Sequence, residues 1–153
     1  MRAAALVLAA LALGLPACGQ KGRLLAPELV RPEPPEQLGA IVIPDGVRLG
    51  WLRPLRYSGG GRMNDLGQFS IERAPGDGGP PEFRKVGTVT LEDQTRFRKE
   101  RRLEWVDRDV QPGERYLYRV TAVTLDGYRS PFAGPVSVRF GPDPGAPPAA
   151  PPQ

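Results

Sequence analysis

Along the middle of the chain, apolar and polar residues alternate one by one in several short, separate stretches. Val47, Leu49 and Trp51 share one side with Arg48 and Gly50 between them; Phe69 and Ile71 flank Ser70; the stretch 83–89 continues the pattern. Tyr116, Tyr118, Val120 and Ala122 alternate with Arg115, Leu117, Arg119 and Thr121, and Val136, Val138 and Phe140 close the series. A period of two puts the apolar side chains of each stretch on one face, the mark of a strand with one side buried and one in water. Between the stretches lie Pro44-Asp45-Gly46, Gly59-Gly60-Gly61, Pro75-Gly76-Asp77-Gly78-Gly79-Pro80, Pro112-Gly113 and Asp126-Gly127, all turn formers. Short strands joined by such turns predict an all-β antiparallel sandwich.

Composition enters because 19 Gly and 19 Pro in 153 residues border on the level of low-complexity chains. Here they gather in the turns and in two end segments. Residues 18–34 carry prolines and no periodic apolar pattern, so they are expected to form an extended, partly polyproline spacer. At roughly 3.1 Å per residue it would reach on the order of 50 Å and hold the domain off a membrane. Residues 141–153 read GPDPGAPPAAPPQ, with no large apolar side chain to offset ordering, and are expected to be a disordered tail. Residues 35–140 remain, a common size for a single domain.

Residues 1–17 have the layout of an export signal: Arg2 gives a positive start, 3–15 are uninterruptedly apolar, and Pro16 and Ala17 follow. Thirteen residues at 1.5 Å each reach about 20 Å, too short to span a bilayer. Leu15, Pro16, Ala17, Cys18 and Gly19 resemble a bacterial lipobox. That resemblance implies cleavage before Cys18 and acylation of its sulfur and nitrogen, which would anchor the protein stably. Gly19 after the cysteine implies the outer membrane, facing the periplasm.

The order of residues over 35–140 resembles the fibronectin type III domain. It opens on Pro34, Pro35 and Leu38. Trp51 with Pro54 and Phe69-x-Ile71-x-Arg73 stand in the second and third strands. Trp105-x-Asp107, Pro112-Gly113, Tyr116-x-Tyr118-x-Val120-x-Ala122, Gly127 and Ser130 match the fifth and sixth strands and the loop after them. The resemblance implies a seven-stranded, immunoglobulin-like antiparallel β-sandwich with Trp51, Trp105, Tyr116 and Tyr118 as structural residues. Tyr116 would form the tyrosine corner, its ring buried and its hydroxyl bonded to backbone upstream. The connections 55–67 and 90–102 are longer than the family's.

No enzyme is expected. The chain has no His, and its one thiol, Cys18, has no partner base and is expected to carry lipid. Metal and cofactor sites are likewise not expected. Gly59-Gly60-Gly61 lacks the Lys-Ser or Lys-Thr of a phosphate loop, and the pairs Glu92, Asp93 and Asp107, Asp109 read as solvated charge. Residues 96–102 carry five positive charges. Nucleic acid is an unsuitable partner for an exported chain, and loss of Arg2 leaves 20 basic against 17 acidic residues, no strong global field. The cluster is either a solvated loop with a short helix in it or a ligand site.

In an immunoglobulin-like sandwich the loops after the second, fourth and sixth strands gather at one end. They would join Arg56, Tyr57 and Arg62 with Arg96, Phe97, Arg98 and Lys99 and with Tyr128, Arg129 and Phe132, a set suited to carboxylate or phosphate. The expected function is a lipid-anchored envelope module that binds or scaffolds an envelope protein or an anionic glycan. Two alternatives stand. Cys18-Gly19-Gln20-Lys21-Gly22 resembles lipoproteins that assist assembly of the outer-membrane lipopolysaccharide translocon, and exposed Tyr57 and Tyr128 would suit a polysaccharide-binding accessory module of a hydrolase. Oligomeric state is not legible.

Overall fold

The structure, a computed structural model, describes residues 26–96 and 98–141. Seven strands form two antiparallel sheets. The first holds β1 (Glu36–Ile43), β2 (Gly46–Leu52) and β5 (Arg102–Asp107) in the order β1-β2-β5. The second holds β3 (Leu66–Pro75), β4 (Arg84–Thr90), β6 (Arg115–Thr124) and β7 (Arg129–Arg139) in the order β4-β3-β6-β7. This is the seven-stranded immunoglobulin-like sandwich of the fibronectin type III type. The long β4–β5 connection contains a helical turn, Asp93–Arg96.

The alternating residues meet between the sheets. Val47, Leu49 and Trp51 of β2, Phe69 and Ile71 of β3, and Tyr118, Val120 and Ala122 of β6 are all fully buried. Trp51 and Phe69 lie with ring centroids 5.4 Å apart and tilted by 60°, a favourable aromatic arrangement. Trp105 works differently. It is half-buried on β5 and reaches across to β4, where its ring lies against the backbone of Gly87. A Cβ on Gly87 would come within 2.5 Å of that ring, so only glycine lets the two sheets close here.

One polar junction ties the sheets together. Asp107, at the end of β5, is buried, and its Oδ2 accepts from Tyr118 Oη of β6 at 2.9 Å and from Arg73 Nη1 of β3 at 2.8 Å. Its Oδ1 accepts from the Asp109 N–H at 3.0 Å. Solvated charge is therefore right for Asp109, whose side chain is exposed, and wrong for Asp107. A lone carboxylate there would be costly, and the arginine, hydroxyl and amide offset it. Burial and the bond to Asp107 push the Tyr118 hydroxyl's pKa well up. Tyr116 Oη accepts from the Gln111 N–H at 2.9 Å, and its ring is half-buried rather than buried, lying beside the Arg73 guanidinium.

The expected spacer differs most. Residues 1–25 and 142–153, including Cys18, lie outside the described residues, but 26–34 do not behave as a free tether. Pro27–Leu29 form a 3-10 turn, and Arg31, Pro32 and Glu33 run along the β2–β3 loop. Ser58 N–H donates to Arg31 O at 2.8 Å, Glu33 N–H to Arg56 O at 3.0 Å, and Gly59 N–H to Leu29 O at 3.2 Å. Pro32 is fully buried. The strap 26–33 is thus part of the domain. Pro32 supplies the buried apolar surface, and the loop amides supply the hydrogen bonds that a polyproline stretch cannot make within itself.

Trp51→Ala should cost about 3–5 kcal/mol by leaving a large core cavity. Gly87→Val should also destabilise, because the side chain meets the rigid ring of Trp105 rather than a flexible tip. Urea denaturation of both variants measures this; a Gly87→Val protein as stable as the parent would show that the Trp105 closure is loose.

Candidate functional site: an arginine-lined cleft at the loop end

Strand direction decides which loops meet. The strap, the β2–β3 loop (53–65), the β4–β5 loop (91–101) and the β6–β7 turn (125–128) all lie at one end, and the described chain leaves at the other. Leu125 N–H bonding Asp65 O at 2.8 Å and Leu91 N–H bonding Gly67 O at 2.8 Å join the loops directly. Between them opens a cleft of about 640 Å³, lined by arginines from two loops together with Lys99, Leu55, Met63 and Asn64.

Arg53 makes the cleft possible. It follows the buried Trp51 at the end of β2 and is itself buried, and its guanidinium donates to the backbone carbonyls of Arg96, Arg98 and Glu100. Burial and the nearby Arg101 charge lower its pKa, yet a guanidinium stays charged, so its donors must be satisfied. The loop carbonyls do this, and the loop is held in return. Arg101 closes the exchange by donating to Arg53 O at 3.0 and 3.1 Å while pairing with Glu36.

Of the residues singled out from sequence, Arg56, Arg62, Arg96, Arg98 and Lys99 do line this cleft. Arg96 has a different job from the one expected. Its Nε donates to Leu66 O at 2.9 Å, its Nη2 to Leu91 O at 3.3 Å, and its Nη1 pairs with Asp93 at 2.8 Å. With its donors spent on the loop base, it is a clamp. Arg56, Arg62, Arg98 and Lys99 are exposed, and none pairs with a carboxylate among the described residues.

The rest of the predicted set is spread more widely. Phe97 lies outside the described residues. Tyr57 stands on the β2–β3 loop beside the cleft, its Oη donating to Asp65 Oδ1 at 2.6 Å, and Tyr128 is exposed in the β6–β7 turn. Arg129 and Phe132 do not join the cleft. Both belong to β7 and face out from the four-stranded sheet, where Arg129 pairs with Glu72 and Phe132 stacks on Arg119, itself against Phe83. β7 begins at Arg129, so both are strand residues, and the shifts in its pairing with β6 let residues three apart share the outer face. Arg53 was missed, because a charged residue at a strand end reads as a surface residue unless the loop above it is known to fold back; Arg101 was read only as one charge of the 96–102 cluster.

What the cleft can do is bind negative charge. Among the described residues no group of three or more His, Cys, Asp or Glu could hold a metal ion. Guanidinium groups on clamped backbone suit oxyanions such as carboxylate and phosphate, whose paired oxygens take a bidentate fork.

Burial and the bond to Asp65 push the Tyr57 hydroxyl up from 10.0 to about 12. The folded state therefore holds this proton more tightly than the unfolded chain. The stability it contributes is complete below about pH 10 and is lost as pH rises toward 12. Difference absorbance between the parent and Tyr57→Phe should place this phenolate near pH 12, and Asp65→Asn should bring it down; a transition at the ordinary tyrosine pH would refute the contact.

No family model matches this chain, and no curated protein matches it. Solved structures do. The kinase region of twitchin from C. elegans matches over 73% of this chain and 17% of its own, at 18% identity and a TM-score of 0.52. A run of domains from titin matches over 73% of this chain and 33% of its own, at 20% identity and a TM-score of 0.52. The chain thus spans a third or less of these relatives, and at such identities the likeness speaks for the fold alone: the chain has the fibronectin type III fold.

Proposed function

We propose that this protein is a non-enzymatic binding or scaffolding module of the bacterial envelope, held to a membrane by lipid on Cys18, whose loop end takes an anion-bearing envelope component. The observation that carries the reading is the set Arg56, Arg62, Arg98 and Lys99, exposed without carboxylate partners among the described residues, on loops that Arg53, Arg96 and Arg101 fix from beneath. A fixed backbone lowers the ordering cost of binding. In this reading 1–17 are the export signal, 18–25 the tether and 142–153 a tail. The polysaccharide alternative is weakened by Tyr57, whose hydroxyl is committed to Asp65.

The test compares two fourfold variants of residues 19–153, which include every described residue. One changes Arg56, Arg62, Arg98 and Lys99 to Ser; the other removes equal charge elsewhere through Arg48, Arg84, Lys85 and Arg108 to Ser. Elution from immobilised heparin should move to clearly lower salt for the first and much less for the second, with melting temperatures preserved in the first. Equal shifts would mean that net charge, not the cleft, does the binding. In cells, Cys18→Ala should abolish palmitate labelling.

A further inference from the structure

We infer that the anionic component is the membrane surface itself: the loop end is a docking face for anionic phospholipid headgroups, and the domain rests on the bilayer with its cleft downward. This deepens, and rests on, the reading of the loop end as an anion site. Three observations carry it. The strap returns to the loop end, so Cys18 is eight residues from Ala26, where the described chain begins. Fully extended, eight residues span at most about 28 Å, and a flexible stretch averages about 16 Å. With Cys18 acylated as proposed, a tether of that average reach keeps this end near the bilayer, and the first anionic surface within reach of the cleft is lipid phosphate.

The second observation is apolar. Seven large hydrophobic side chains are exposed among the described residues, and four of them, Leu29, Leu55, Leu125 and Tyr128, stand at this end. Leu125 is 62% exposed at the tip of the β6–β7 turn, and Leu29 sits on the strap against Gly59. Leucines and a tyrosine at the same end as the cations of the cleft suit the headgroup boundary, where the apolar parts enter the interface and the charges meet phosphate. A partner recognised in solution has no call for leucines on three separate tips at the tethered end.

The third is charge. Arg56, Arg62, Arg98 and Lys99 are joined by Arg31 on the strap, exposed as well. Each basic residue near an anionic bilayer adds attraction that fades within about 8 Å at physiological salt, so the tether brings the face close and the cations and leucines hold it there.

Residues 19–153, without acyl chains, should float with vesicles of equal parts phosphatidylglycerol and phosphatidylcholine and not with phosphatidylcholine alone. Changing Arg56, Arg62, Arg98 and Lys99 to Ser should weaken this on the order of a hundredfold. Leu29→Ser with Leu125→Ser should weaken it while leaving heparin binding unchanged. Brominated lipid should quench a fluorophore on a cysteine at position 125 and not one at position 137. Heparin binding without vesicle binding would overturn the lipid inference and leave the anion site; loss of both would overturn both. Vesicle binding with equal quenching at 125 and 137, or undiminished in the fourfold variant, would overturn the docking face.

Discussion

A guanidinium taken out of water must find acceptors for all of its N–H groups, and the loop end of this sandwich is built around one that does. Arg53 stands directly above the packed core, one residue past β2, so its position is as fixed as that of Trp51 beneath it. Its donors reach three carbonyls of a loop more than forty residues later in the chain. That loop would otherwise have little to hold it, since Glu92, Asp93, Arg98, Lys99 and Glu100 are all exposed. The carbonyls satisfy the cation, and the cation orders the carbonyls. The outward cations of the cleft inherit the order.

At the other end the same principle appears with the charge reversed. Asp107 is a buried carboxylate on one sheet, satisfied by an arginine and a tyrosine on the other. Because its partners come from β3 and β6, their geometry is right only when the sheets are packed in register. Apolar contacts tolerate small slides; a carboxylate with two directional partners does not. Arg73 serves twice, since its guanidinium also lies 5.0 Å from the Tyr116 ring centroid, near the corner where that hydroxyl takes the Gln111 amide.

The strands were legible because burial on one face leaves a period of two, and the alternating residues of β2, β3 and β6 all turned inward, whereas Phe83, just before β4, lies on the outer face against Arg119. The gathering of the even-numbered loops was legible from the sandwich topology. Three things were not. Arg53 and Asp107 are charged residues whose burial depends on partners distant in sequence, and no local pattern distinguishes them from solvated neighbours. Phe132 and Arg129 read as loop residues because the turn at Gly127 is short and β7 begins earlier than its apolar alternation. The strap was misread because a proline-rich segment looks alike whether it hangs in water or lies along a loop; only the buried Pro32 and the amides of Ser58 and Gly59 separate the cases.

Strand parity links the fold to its orientation. In an up-and-down count, β1 starts at the end where β2 finishes, so the loops after β2, β4 and β6 share the end at which the chain enters, and an odd number of strands sends the chain out opposite. An anchor before β1 therefore draws the even loops toward the membrane. A long free spacer of the kind expected from sequence would erase that bias, since a domain on a tether longer than itself can face any way. In the proposed lipid-anchored protein the strap would restore it, because 26–33 lie on the loop end and only eight residues separate Cys18 from Ala26. A sandwich whose strands run about 3.3 Å per residue is longer than that tether's average reach. If Cys18 carries lipid as proposed, the distal end is the one held away from the bilayer, and the surfaces left open to other components are the outer face of the four-stranded sheet, with its Phe83, Arg119 and Phe132 stack, and the turns around Pro112.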